Sequence, residues 1–186
     1  MKQSIHQHAL LSIQNLTVNL PTARGMVYAV RNISFSVAQG ETLALVGESG
    51  CGKSVTAQAI MGLLPERTVI TAKQATFEDQ SLLNADTRLA LCGKKIAMIF
   101  QNPMATFNPT LTIGYQIAEP LRVHRAFTRH EAEIEAIRLL DRMQITHAKQ
   151  RMQQYPHEFS GGMLQRAAIA MALAANPKLL IADEPT

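Results

Sequence analysis

The segment Gly47-Glu48-Ser49-Gly50-Cys51-Gly52-Lys53-Ser54 constrains this chain more than any other stretch. It has the spacing G-x-x-x-x-G-K-[ST]. A short apolar run, residues 42–46, precedes it, and residues 53–64 carry a helical pattern after it. Gly47, Gly50 and Gly52 let the backbone fold so that successive N–H groups point inward at phosphate oxygens. The following helix aims its positive end at the same place. Lys53 can then reach the outer phosphates of a nucleotide, and Ser54 can place its hydroxyl on Mg²⁺. A glycine-rich turn with a chance Lys-Ser needs no strand before it and no helix after it; here both are expected.

Three further places carry chemistry. Residues 178–182 read as an apolar strand that ends in Asp183 and Glu184. The C-terminal ends of strands are where α/β sheets place ligand chemistry. Asp183 suits a Mg²⁺ ligand and Glu184 a general base for an attacking water. Alone, the pair reads equally as a solvated acidic turn before Pro185. Ser160-Gly161-Gly162 opens an apolar helix over residues 163–175. Ser160 is a good N-cap, the glycines permit close backbone approach, and N–H groups at a helix start attract anions. Gln101 follows an apolar strand at residues 96–100, where its amide can meet a metal ion or a water.

The remaining pattern fills in a fold. Residues 11–20 and 27–37 alternate and read as strands, and residues 38–41 as a turn. Residues 42–46 read as a strand buried on both faces, and the helix after the glycine loop is expected to run to Leu64 before Pro65. Residues 66–95 read as an irregular or antiparallel excursion. Residues 113–124 read as a helix with a break near Pro120. Thr128-Arg129-His130-Glu131 forms a capping box for a helix to about Met143. Asn176-Pro177 stops the helix that Ser160 opens. Strand, loop, helix and strand in this order imply a parallel α/β core.

Composition excludes less than the motifs do. The chain has 186 residues, is 47% apolar and 17% charged, and carries a net charge of +4. That is a globular domain or most of one, and so mild a charge decides nothing about partners. The two cysteines, Cys51 and Cys92, have no metal-ligand spacing and suit a reducing compartment. The polar start, with His6 and His8 read as tail residues, leads into no signal-peptide pattern. The longest apolar run, residues 167–175, is far short of a bilayer span.

The order and spacing of these segments resemble the ATP-binding subunits of ABC transporters, over essentially the whole chain. The nearest subgroup is the importers of dipeptides, oligopeptides, glutathione and nickel. The carrying segments are residues 40–50, Met98-Ile99-Phe100-Gln101-Asn102-Pro103-Met104, Phe107-Asn108-Pro109, and Tyr155-Pro156-His157-Glu158-Phe159-Ser160-Gly161-Gly162. The resemblance implies a P-loop NTPase core with an N-terminal antiparallel β subdomain and a helical subdomain. Residues 1–100 would hold the β subdomain and Walker A core, 101–176 the Q-loop and signature region, and 177–186 the Walker B strand. It implies ATP and Mg²⁺ as ligands. Ser54, Gln101 and Asp183 would lie on the metal, Gln101 and Glu184 would be catalytic, and Ser160, Gly161 and Gly162 would meet the nucleotide of a second ATPase subunit, the same or a different chain. It also implies transmembrane permease subunits, a peripheral place on the cytoplasmic face of a bacterial inner membrane, and no nucleic acid.

The chain departs from the family at Phe159 and Met163, where Leu and Gln are usual. Arg24 and Tyr28 stand near the place where the family stacks adenine on an aromatic ring. The sequence stops at Thr186, ahead of the family's D-loop and switch histidine. The fold is therefore expected to be incomplete at its C-terminus, and the fragment inactive alone. His157 precedes the signature and cannot be that histidine. Residues 101–125 are expected to face the permease through Met104, Phe107, Leu111, Ile113 and Tyr115. Two other readings compete: a truncated remnant that binds nucleotide without turnover, and an ABC ATPase with no transport role. A small nucleotide kinase shares the glycine loop but has no Ser-Gly-Gly helix before the carboxylate strand.

Overall fold

A computed structural model describes residues 9–184; His6, His8, Pro185 and Thr186 lie outside them. The chain divides into two compact units, residues 1–91 and 92–186.

The first unit is built on a five-stranded antiparallel sheet. Strands β1 (Ala9–Thr22) and β2 (Gly25–Ala38) form a long hairpin, and β1 also pairs with β3 (Val69–Thr71) and β4 (Gln74–Phe77), which carries β5 (Gln80–Ser81). Alternation buries Leu11, Ile13, Leu16, Val18 and Phe77 on one face. Asn15 and Asn32 both sit at φ 53 where the β1–β2 register shifts. Asparagine tolerates this left-handed region, and the Asn15 amide donates to Asn32 Oδ1 at 2.6 Å, tying the irregularity across the pair. Helix α1 (Lys53–Met61) packs Ala57, Ala59 and Ile60 into the buried core. The excursion expected at residues 66–95 is antiparallel, as β3 to β5, and also contains helix α2 (Ala85–Leu91).

The second unit holds two parallel strands, β6 (Ile96–Ile99) and β7 (Leu179–Ala182), and a helical cluster. Helices α3 (Pro103–Thr106), α4 (Ile113–Arg125), α5 (Arg129–Arg142), α6 (Ala148–Arg151) and α7 (Gly161–Ala174) follow β6 in order. Ile113, Ile117, Leu121, Leu140 and Leu164 are fully enclosed between them. The capping box of α5 forms as its sequence predicts: Thr128 Oγ1 accepts from the Glu131 N–H, and Glu131 accepts from the Thr128 N–H at 2.8 Å.

Four expectations fail, each for a physical reason. Residues 42–46 are neither a strand nor buried; they join no ladder among the described residues, and Val46 is 93% exposed. An apolar run makes a buried strand only when a neighbouring strand supplies hydrogen bonds. Helix α1 ends at Gly62 rather than Leu64, because a glycine at φ 71 closes it with N–H bonds back to Ala59 and Gln58. Helix α4 runs through Pro120 without a break. Proline forfeits one backbone bond, and the buried Ile117 and Leu121 on either side hold the helix together. Phe107 and Ile113 are 4% and 0% exposed and belong to the core, so they present no surface to a partner.

Candidate functional site

In the first unit, the glycine loop follows the exposed segment and leads directly into α1. Gly50 and Gly52 adopt φ 81 and 95, where a side chain is strained. A Cβ on Gly52 would collide with the Ala29 carbonyl oxygen of β2, so only glycine lets the loop seat against that strand. A Cβ on Gly47 would collide with Cys51 Sγ. Gly52 serves as N-cap of α1 without a side-chain cap, which presents the positive end of the helix at the loop. The Lys53 ammonium folds back over the loop and donates to the Gly47 carbonyl at 2.9 Å and the Glu48 carbonyl at 3.0 Å. A lysine held across a ring of backbone groups is placed to exchange those carbonyls for phosphate oxygens, which carry more charge. Ser54 opens the first turn of α1 beside it.

Two residues flank the loop and α1. Tyr28 lies one residue from the Ala29 carbonyl that Gly52 approaches; it is exposed, with the Arg31 guanidinium 5.5 Å from its ring centre. At the other end of α1, Arg88 packs over Gly62 and donates to the Leu82 carbonyl at 2.9 Å, fixing the helix terminus against α2. Cation and helix C-terminus attract one another.

In the second unit, parallel pairing places two predicted residues side by side. The register matches Ile99 with Ala182. The ladder continues with the Asp183 N–H donating to the Ile99 carbonyl at 3.0 Å. Gln101 and Glu184 therefore stand at equal distances beyond the paired residues, and Gln101 Nε2 donates to Glu184 Oε2 at 2.7 Å. Asp183 is buried and Glu184 exposed. Glu184 sits at φ 49, a costly conformation for a non-glycine residue.

The Ser-Gly-Gly start is an N-cap in fact. Ser160 Oγ accepts from the Met163 N–H, and nothing would obstruct a Cβ at Gly161 or Gly162, so their backbone faces open space. Arg166, which sequence reasoning passed over, steadies this end: it donates to the Gly162 carbonyl at 3.3 Å and, at the end of α5, to the Gln144 carbonyl at 3.0 Å. Its spacing of one helical turn from Gly162 is the available signal. Gln116 was missed as well. Buried in α4, it accepts from the Asn108 N–H at 2.7 Å and donates to the Asn108 and Leu111 carbonyls at 3.0 Å, which pins the loop before α4. A polar residue on the same face as Ile113 and Ile117 is the clue. On the outside of this region Met104 and Tyr115 are 55% and 49% exposed.

Comparison with known proteins agrees with this geometry. The ABC transporter family matches residues 30–186. The dipeptide transport ATP-binding protein DppD of Bacillus subtilis is 48% identical over 180 residues, covering 95% of this chain and 54% of the relative. The oligopeptide transport ATP-binding protein OppD of Escherichia coli is 48% identical, covering 96% of this chain and 53% of the relative. The chain thus spans about half the length of the curated relatives it matches. Among solved structures, the ATP-binding cassette MJ0796, a dimer in a post-hydrolysis state bound to ADP and Pi, superposes with a TM-score of 0.80. It is 26% identical, over 95% of this chain and 74% of that one. From its glycine loop to its carboxylate strand, this chain belongs to the ABC transporter ATP-binding family.

Proposed function

We propose that this chain is the nucleotide-binding part of an ATPase subunit that drives uptake of peptides, or of a related small solute, through a membrane permease. The observation that carries the reading is the glycine loop, with Lys53 drawn across the Gly47 and Glu48 carbonyls and Gly52 seated on β2. Relatives named for dipeptide and oligopeptide transport, at 48% identity, support the solute class.

The site residues take complementary roles. Residues Gly47 to Ser54 cradle the phosphates, and exposed Tyr28 offers an aromatic face for the base. Glu184 accepts a proton from water as the water oxygen bonds to the γ-phosphorus and the bond to the bridging oxygen breaks. Ser54 Oγ, Gln101 Oε1 and an Asp183 oxygen are hard donors that suit Mg²⁺. Because Gln101 turns its nitrogen to Glu184, its oxygen remains the atom for a cation. Bound Mg²⁺ would neutralise charge on the phosphates. Ser160, Gly161 and Gly162 serve a second ATPase subunit, in keeping with the dimeric state of the structural neighbour. Among the described residues, no helix is long and apolar enough to cross a membrane. In this reading the permease is contacted by exposed Met104 and Tyr115.

Nucleotide affinity of the parent and of Lys53→Ala tests the reading. Loss of charge-assisted hydrogen bonds is worth about 1.5–3 kcal/mol, so Kd for ATP rises about ten- to a hundredfold. Equal affinity in both proteins removes the site assignment and the function with it.

A further inference from the structure

We infer that the turn joining α4 to α5 is a basic surface that rests on anionic phospholipid headgroups of the bilayer, with Arg122, Arg125 and Arg129 carrying the contact. The inference goes beyond the proposed function and rests on it only for a subunit that works beside a membrane. The net charge of the chain is a mild +4, but the cations are unevenly placed. Residues 122–130, Arg122-Val123-His124-Arg125-Ala126-Phe127-Thr128-Arg129-His130, hold three arginines, two histidines and no carboxylate. Arg122, Arg125, Arg129 and His130 are exposed, and Val123 among them is 68% exposed. Arg125 closes α4 and Arg129 opens α5, so their Cα atoms are at most about 15 Å apart. A Cβ on Gly93 would lie 3.3 Å from His124 Nε2, which brings the turn carrying exposed Lys94 against the same end of α4.

Helix electrostatics accounts for only part of this cluster. Cations in the last turn of α4 complement the negative end of that helix. Arg129 and His130 stand in the first turn of α5, where the helix end is positive and favours carboxylates. The carboxylate of that turn, Glu131, is held by the Thr128 N–H and hydroxyl. Glu119 and Glu133 each lie about one turn further along their own helices, and among the described residues none of the three arginines forms an ion pair. The arginines therefore repel one another without an internal anion to offset them, and an anionic partner relieves that repulsion. The arrangement fits a lipid surface better than one phosphate or an acidic peptide. The charges come from two helix ends and a separate turn, all exposed, so they meet a plane of dispersed headgroups rather than close round a single anion. The Arg125 guanidinium lies 4.6 Å from the Phe127 ring centre, and Val123 stands open on the same turn of α4. Apolar groups mixed with arginines suit the boundary between headgroups and acyl chains. Tyr115, the proposed permease contact, lies about 15 Å back along α4 from Arg125, so one helix meets both permease and bilayer.

Co-sedimentation of the full chain with lipid vesicles tests this. The parent is expected to bind vesicles of equal parts phosphatidylglycerol and phosphatidylcholine, and not vesicles of phosphatidylcholine alone. Each arginine near an anionic bilayer strengthens binding about fivefold, so Arg122→Gln, Arg125→Gln and Arg129→Gln together weaken it about a hundredfold. The same three positions changed to lysine keep the charge and stay within about fivefold of the parent. Arg138→Gln, Arg142→Gln and Lys149→Gln together remove equal charge toward the other end of α5 and on α6. Screening by salt limits their effect to about threefold. Circular dichroism of every variant should match the parent. Equal losses in the two glutamine variants overturn the inference, because net charge rather than this turn would then decide binding. Equal binding to neutral vesicles overturns it, as does binding to a polyglutamate peptide without binding to the anionic vesicles. A parent that binds ATP but no anionic vesicle overturns the lipid contact alone. A parent that binds the anionic vesicles through this turn but not ATP upholds the contact and defeats the nucleotide reading.

Discussion

Gly52 shows how one residue joins fold and site. It needs a positive φ, it leaves no room for a Cβ under the Ala29 carbonyl, and it caps α1. Gly52→Ala is therefore expected to destabilise the chain by about 1–3 kcal/mol and to weaken ATP binding as well. Chemical denaturation beside a nucleotide titration checks both. A variant of parental stability would mean that the loop does not rest on β2. Lys53 and Glu184 differ from Gly52 in kind. Lys53 is half-buried and Glu184 exposed, and neither belongs to a buried core, so their replacement should change chemistry while leaving the fold intact.

Elements behave according to what their neighbours supply. The capping box of α5 gives a pH-dependent case. Glu131 accepts the Thr128 backbone N–H and the Thr128 hydroxyl, which hold its carboxyl below the ordinary carboxylate range. Its folded value lies below its unfolded one. Its contribution is thus complete above about pH 4.3 and disappears as pH falls through the folded value. Melting temperatures of parent and Glu131→Gln should differ at neutral pH and converge in acid; a constant gap would show that the carboxylate contributes nothing to the cap. A second case separates the surface of α4 from the core that the preceding loop fills. Phe107→Asp should cost several kcal/mol, about 3–5 for loss of a buried aromatic, and should prevent folding of that unit. Tyr115→Asp should stay within about 0.5 kcal/mol yet release the permease in a pull-down of the assembled subunit. Retained association would move the contact elsewhere.

The same contrast explains what was legible in the sequence. Alternation, caps and stop signals depend on nearby residues, so β1, β2, α5 and α7 were readable, as was the order of the site motifs. The segment at residues 42–46 was misread because strand formation depends on a distant partner, which no local pattern reveals. Pro120 misled because packing of Ile117 and Leu121 outweighs one lost backbone bond. Phe107 was placed outside because flanking prolines suggest an open loop, whereas Gln116 folds that loop inward. The Gln101–Glu184 contact needed the β6–β7 register, which sequence does not print.

At the scale of the molecule, the candidate site residues fall in two parts: a glycine loop on an antiparallel β unit, and a glutamine–carboxylate pair with a capped helix start on a helical unit. The central claim is that the loop binds the phosphates of ATP. Backbone amide NMR of the ¹⁵N-labelled chain tests it most directly, by titration with Mg-ATP and separately with adenosine. The account predicts that the N–H signals of Gly50, Gly52, Lys53 and Ser54 shift most with Mg-ATP and stay in place with adenosine, because the phosphates, not the base, meet them. Shifts confined to other residues, or equal responses to adenosine and Mg-ATP at these four, would contradict it.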